Sequence, residues 1–134
     1  IYDDLAQGEL VSFLRAMSGS FDVVVAADVL CYFGGLDDVL AAAEAALRPG
    51  GAIAFTVESL ADVGPDGGPE GGPDAVDGWS LALHGRYVHV PGYVAAVMAR
   101  FDQVAADPCV LRMEAGVPVP GLVVSGRARG ACPA

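Results

Sequence analysis

The sequence contains no lysine. All seven of its basic residues are arginine, and they face 17 acidic residues, for a net charge of −10. Phosphate neutralisation dominates nucleic-acid affinity, so so acidic a chain is expected to bind neither DNA nor RNA. A membrane-surface role is disfavoured on the same ground. No apolar run approaches the roughly 20 residues that cross a bilayer, so no membrane span is expected. Ile1 to Gly8 lacks the basic start and apolar stretch of a signal peptide. Cysteine is scarce: Cys31, Cys109 and Cys132 are odd in number, widely spaced and without a CxxC pair. That pattern argues against a zinc site or a disulfide framework and for a reducing, cytoplasmic compartment.

What is present suits one buried core. The chain has 134 residues, 54% of them hydrophobic, with a mean hydropathy of +0.49; this length accommodates a single domain. Leu10, Phe13, Leu14 and Met17 recur at helical spacing, so residues 9–17 read as a short amphipathic helix. Phe21 to Ala27 is apolar on both faces apart from Asp22, which predicts a central parallel strand covered on both sides. Leu36, Val39, Leu40, Ala43 and Leu47 give a second helical stripe, with Asp37 and Asp38 in its first turn and Arg48 in its last, as the helix dipole favours. Pro49-Gly50-Gly51 is expected to stop that helix, and Ala52 to Glu58 forms the next strand. Strand, crossover helix and strand make a right-handed βαβ unit.

Residues 64–78, GPDGGPEGGPDAVDG, are of low complexity and read as a solvated, flexible loop. WSLALHGRYVHV then alternates around His84-Gly85 as a small hairpin. Val94, Val97, Met98 and Phe101 line a last helix starting near Pro91. Residues 108–114 and 119–127 read as two strands paired antiparallel across a short turn. The order describes half of a doubly wound α/β sheet with an antiparallel final pair.

The blocks FDVVVAADVLCYFGGL, LRPGGAIAFTVE, GRYVHVPGYV and LRMEAGVPVPGLVV resemble consecutive segments of the class I S-adenosylmethionine-dependent methyltransferases. They are most similar to a bacterial family often fused to tetratricopeptide (TPR) repeats. IYDDLAQGELVSFL is similar to the segment around that family's third strand. The resemblance implies a Rossmann-like fold, S-adenosyl-L-methionine as cofactor and methyl transfer to an unidentified acceptor. Such transfer is an in-line displacement that mainly requires alignment and exclusion of water. The family's glycine-rich loop after the first strand and acidic residue ending the second have no counterpart here. The pairs Gly34-Gly35, Gly50-Gly51, Gly67-Gly68 and Gly71-Gly72 do not follow a strand and open a helix in that pattern. The first residue is not Met, and the expectation is that these residues are the C-terminal half of a methyltransferase domain. The missing N-terminal half is then a partner, and the chain alone is expected to be inactive. The alternative is an inactive fragment or interaction module that associates through its exposed sheet edge.

The site candidates follow from position. Ligands of open α/β sheets bind beyond the carboxyl ends of the strands, where Asp28-Val29-Leu30-Cys31-Tyr32 sits. The resemblance puts this loop, from Ala26 to Tyr32, at the methionine end of the cofactor. In the alternative reading Asp28 caps a turn and Tyr32 packs on the following helix. Glu9, with Leu10, occupies the place where the family contacts adenine; a carboxylate accepts the amino N–H there, or Glu9 satisfies the helix terminus. Arg86, Tyr87 and His89 are candidate substrate residues, Arg as an anion clamp and His or Tyr as a proton carrier. Their alternative is a structural anchor, with Arg86 paired to an acid and His89 hydrogen-bonded beside the next helix. Val90 stands where a capping Ser or Thr is frequent in the family. Cys31 reads as an apolar filler, because no His is placed to activate it. Glu58 reads as solvated, and no residue is assigned to a metal.

Overall fold

The computed structural model describes residues 3–59, 78–82 and 85–130. The Gly/Pro/acidic segment up to residue 77, His84 and Cys132 lie outside these residues. Helix α1 (Leu10–Ala16) precedes strand β1 (Phe21–Ala26). A short 3₁₀ turn at Leu30–Tyr32 leads into α2 (Asp37–Ala46) and then β2 (Leu47–Glu58). The hairpin β3 (Trp79–Leu81) and β4 (Tyr87–His89) follows, then α3 (Pro91–Val97) and the long pair β5 (Asp102–Glu114) and β6 (Val117–Arg127).

Strand β2 is the hub of the sheet. It pairs parallel with β1, Val23 opposite Ala52 through Ala26 opposite Phe55. On its other side it pairs antiparallel with β6, Ala52 opposite Arg127 through Glu58 opposite Gly121. Strand β6 in turn pairs antiparallel with β5, closing the order β1-β2-β6-β5. Past the last β1 pairing, β4 joins β2 in parallel through the single bridge Glu58–Val88. The parallel βαβ unit and the antiparallel final pair are therefore as the sequence predicts, and both strands of the final pair are longer than expected.

One core cluster lies on one face of this sheet. Alternate β2 residues Ile53, Phe55 and Val57 meet Val39, Leu40 and Ala43 of α2, Leu14 of α1, and Val94, Val97 and Met98 of and after α3. Leu122 and Val124 of β6 complete it. Each fully buried side chain of this kind contributes about 1.5–3 kcal/mol. The opposite face is open. Val23 is 57% and Val25 69% exposed, which corrects the expectation of a first strand covered on both sides. The apolar run is real, but among the described residues no helix lies over that face.

Two further corrections concern the end of α2. The helix stops at Ala46, and Leu47 already has the extended conformation (φ −79°, ψ 145°). Arg48 is therefore in β2, not in the last helical turn, and pairs with Asp22 of β1 at 2.9 Å. Pro49 explains the early stop: its ring disfavours helical backbone in the residue before it. Phe21 can then pair with Leu47, extending β2 by five residues at its start.

Candidate functional site

The carboxyl ends of β1 and β2 carry an ion network. Asp28 lies just past β1 with φ +54°, a left-handed conformation that costs a non-glycine residue about 1–2 kcal/mol. Two contacts hold it there. Its backbone N–H donates to Thr56 Oγ1 of β2 at 3.0 Å, and its Oδ1 accepts from Arg112 Nη1 of β5 at 3.1 Å. Arg112 also donates from Nη2 to Glu58 Oε1 at 2.5 Å and from Nε to Glu114 Oε1 at 2.9 Å. Arg86, just before β4, reaches Glu58 Oε1 at 3.4 Å and contacts Glu114 Oε1 as well. Five side chains from four parts of the sheet thus form one array of three carboxylates and two guanidinium groups. The hydrogen bond to Glu114 and the charges of Glu58 and Asp28 hold Arg112 above its ordinary pKa, against the opposing effect of burial.

Glu58 is 3% exposed, correcting its assignment as a solvated acid. Desolvating a carboxylate is costly unless it is paired, and here both arginines pair with it. Arg112 and Glu114 were not singled out in the sequence. Their signal is the i, i+2 spacing, which puts both side chains on one face of a strand, but their partner Glu58 lies far away in sequence.

The predicted site residues separate into groups. Leu10 and Ala26 share an apolar cavity of about 100 Å³, together with Val29 and Leu30. Glu9 caps α1: its carboxylate accepts from Val11 N at 2.5 Å and from Ser12 N at 3.3 Å. The Val11 bond is the chief reason its pKa lies below the ordinary value. Arg86 pairs with Glu58 and Glu114, as the anchor alternative describes, and Asp28 is linked to it only through Arg112 and these acids. Tyr32, at the end of the 3₁₀ turn, is 63% exposed and so does not pack under the following helix. Tyr87 is half-buried on β4.

His89 is fully buried, and its Nε2 lies 2.9 Å from Phe33 O and 3.0 Å from Gly34 O. Burial pushes its pKa below the ordinary 6.5, with the two carbonyls opposing. It is hydrogen-bonded to the loop before α2, and its ring stacks on Tyr93 of the next helix with centroids 6.4 Å apart. Val90 begins α3 without a side-chain cap. Cys31 is buried, and burial with the nearby Glu58 and Asp28 charges pushes its thiol pKa up. That is the environment of a filler, not a nucleophile. Among the described residues, no group of His, Cys, Asp and Glu has the arrangement of a metal site.

The sheet order β1-β2-β6-β5, with β6 antiparallel between two neighbours, is a recognisable topology. Residues 4–55 match the methyltransferase domain family. The chain has a class I methyltransferase fold. A SAM-dependent methyltransferase from Methanosarcina mazei superposes with a TM-score of 0.59 at 13% identity, over 85% of this chain and 62% of that one. An O-methyltransferase family protein from Burkholderia thailandensis gives a TM-score of 0.57 at 21% identity, over 96% of this chain and 36% of that one. The CurJ carbon methyltransferase gives 0.53 at 21% identity, over 85% and 31%. The methyltransferase fold seen here therefore spans 62% or less of each of these structures. No curated protein matches the sequence.

The chemistry of the described residues at the β1 end is compatible with part of an S-adenosylmethionine molecule. A fixed carboxylate at the β1 end can accept from the cofactor's ammonium or hydroxyl groups, and Leu10 and Ala26 offer an apolar wall. Among the described residues no glycine-rich loop follows a strand and opens a helix in the cofactor-cradle pattern. A Cβ on Gly34 would lie 2.4 Å from Trp79 Nε1 and one on Gly35 3.5 Å from the same indole. Gly34 therefore accommodates the tryptophan, and Gly35 is in ordinary contact with it. Among the described residues no helix is long and apolar enough to cross a membrane.

Proposed function

We propose that this chain supplies the C-terminal part of an S-adenosylmethionine-dependent methyltransferase site, with the loop Asp28–Tyr32 between cofactor and acceptor. The observation that carries this reading is Asp28 itself. It is held in a left-handed conformation at the carboxyl end of a parallel strand, by Thr56 and Arg112, with its side chain 61% exposed. Strained, over-determined backbone of this kind is concentrated at ligand sites. S-adenosylmethionine brings an electrophilic methyl group, and the residues of this chain have to orient and exclude water. Asp28 would hold the cofactor's polar end, Leu10 and Ala26 would border the adenine, and Tyr32 would face the acceptor. The glycine-rich cradle and ribose carboxylate would come from polypeptide outside residues 1–134. In a domain with both parts, Asp28→Ala should weaken cofactor binding at least about tenfold, the scale of one lost charged hydrogen bond. Unchanged affinity and unchanged turnover would refute the assignment.

A second reading has its own support. Val23 and Val25 are exposed on the open face of β1, and β1 pairs only with β2 among the described residues. In that reading the chain is an interaction module or inactive fragment that associates through β1. Sedimentation tests it: in this reading the chain self-associates and Val23→Thr weakens the association, whereas a monomer at every concentration would refute it.

A further inference from the structure

The segment Phe33–Leu36 connects the candidate ligand loop to α2, and three side chains from distant parts of the chain grip it. His89 of β4 reaches two successive carbonyl oxygens, Phe33 at 2.9 Å and Gly34 at 3.0 Å, through one nitrogen. Carbonyls only accept, so Nε2 carries the proton, and full burial of the ring favours its neutral form. Trp79 of β3 lies flush against Gly34 and Gly35, close enough that a Cβ on Gly34 would overlap it. Tyr93 of α3 accepts the Leu36 N–H at its hydroxyl at 2.8 Å and faces Asp37 Oδ2 at 3.5 Å. The three rings pack on one another: Trp79 and Tyr93 have centroids 5.2 Å apart, His89 and Tyr93 6.4 Å.

We propose that His89, with Trp79 and Tyr93, is a positioning residue that fixes the exit of the Asp28–Tyr32 loop. The other end of that loop is fixed by the Asp28 contacts to Thr56 and Arg112. Between the two anchors, the 3₁₀ turn is closed by Tyr32 N to Val29 O and Phe33 N to Leu30 O. The loop is therefore a span pinned at both ends, with Tyr32 the side chain it presents outward. His89 does not face the solvent and touches no ligand position; it acts through the backbone of Phe33 and Gly34. This gives a role to a buried histidine that was a proton-carrier candidate. A fully buried ring whose Nε2 is bonded to two carbonyl oxygens presents no exposed nitrogen to an acceptor. Its effect on ligand binding rests on the reading that the Asp28–Tyr32 loop lines the pocket; its effect on loop position does not.

Trp79 is the one tryptophan of the chain, so its fluorescence reports the clamp directly. His89→Leu removes the donor, and His89→Gln keeps an N–H. In His89→Leu the emission should shift to the red and acrylamide quenching should increase. Amide exchange at residues 29–34 should accelerate about tenfold, as expected for one lost hydrogen bond in a local opening. His89→Gln should restore both signals towards wild type. If His89→Leu does not fold, Tyr93→Phe serves instead: it removes the acceptor of the Leu36 N–H, and that amide alone should exchange about tenfold faster. Unchanged emission and exchange in the variants would overturn the proposal. So would a failure of glutamine to restore either signal, since that would mean that only the ring's packing matters. If fluorescence and exchange respond but S-adenosylmethionine affinity of the complete domain does not, the clamp stands and the pocket assignment of the loop falls.

Discussion

Arg112 Nη2 donates to Glu58 Oε1 at 2.5 Å, and its Nη1 donates to Asp28 Oδ1 at 3.1 Å. One side chain on β5 thus joins the buried end of β2 to the loop after β1. The contact serves stability and the geometry of the Asp28 loop together. Arg112→Ala leaves Glu58 buried with Arg86 as its remaining arginine, and should cost about 1.5–3 kcal/mol, the range for a charge-assisted hydrogen bond. Urea unfolding measures this. A loss below about 0.5 kcal/mol would mean that the array behaves like an exposed surface pair.

The left-handed backbone of Asp28 yields a prediction with two opposite signs. Asp28→Gly relieves the steric cost of φ +54° but loses the carboxylate. The change should leave stability within about 1 kcal/mol of the original, because relief and the lost ion pair offset each other. Ligand binding by a complete domain should fall all the same. Thr56→Val, which removes the acceptor of the Asp28 N–H, should destabilise by about 0.5–1.5 kcal/mol.

Gly121 sits opposite Glu58 in the β2–β6 pairing. A Cβ there would lie 2.4 Å from the backbone carbonyl oxygen of Val57. Backbone cannot swing aside as a side chain can, so Gly121→Ala should cost about 1–3 kcal/mol. Gly92→Ala, where nothing lies within 4 Å of the added atom, is the matching control.

His89 predicts a pH dependence. Its folded pKa lies below the ordinary 6.5 because burial disfavours the charged ring. Below pH 6.5 the unfolded chain takes up a proton that the folded chain refuses, so stability is full above that pH and declines as pH falls. The slope reaches at most about 1.4 kcal/mol per pH unit. His89→Leu should remove this component, measured as the difference between the two stability–pH curves. Parallel curves would contradict the neutral, buried assignment.

Much of the fold was legible because it rests on local periodicity. The stripe from Leu36 to Ala43 and the run from Ala52 to Val57 give α2 and β2 directly, and Pro91 marks the start of α3. The faces of β1 were not legible. Val23 and Val25 are as apolar as Val24, and only a covering element distinguishes an inner from an outer face. The end of α2 was misplaced because Leu47 satisfies the helical stripe and also pairs with Phe21 in the sheet. The position of Asp28 was legible, since it does lie just past a strand's carboxyl end. Glu58 was not, because its burial depends on Arg86 and Arg112, 28 and 54 residues away. Glu9 was legible as a carboxylate at a helix start, and the structure shows that it caps that helix.

The central claim is that residues 1–134 provide one side of a cofactor site. Calorimetric titration with S-adenosylmethionine tests it most directly, on this chain alone and on the chain joined to a glycine-rich N-terminal half. Absence of two or three charged hydrogen bonds, each worth about 1.5–3 kcal/mol, weakens binding by several orders of magnitude. The account predicts no saturable heat for the chain alone at millimolar cofactor, and saturable binding for the joined domain that Asp28→Ala weakens. Micromolar binding by residues 1–134 alone, or binding by the joined domain that ignores Asp28→Ala, would contradict it.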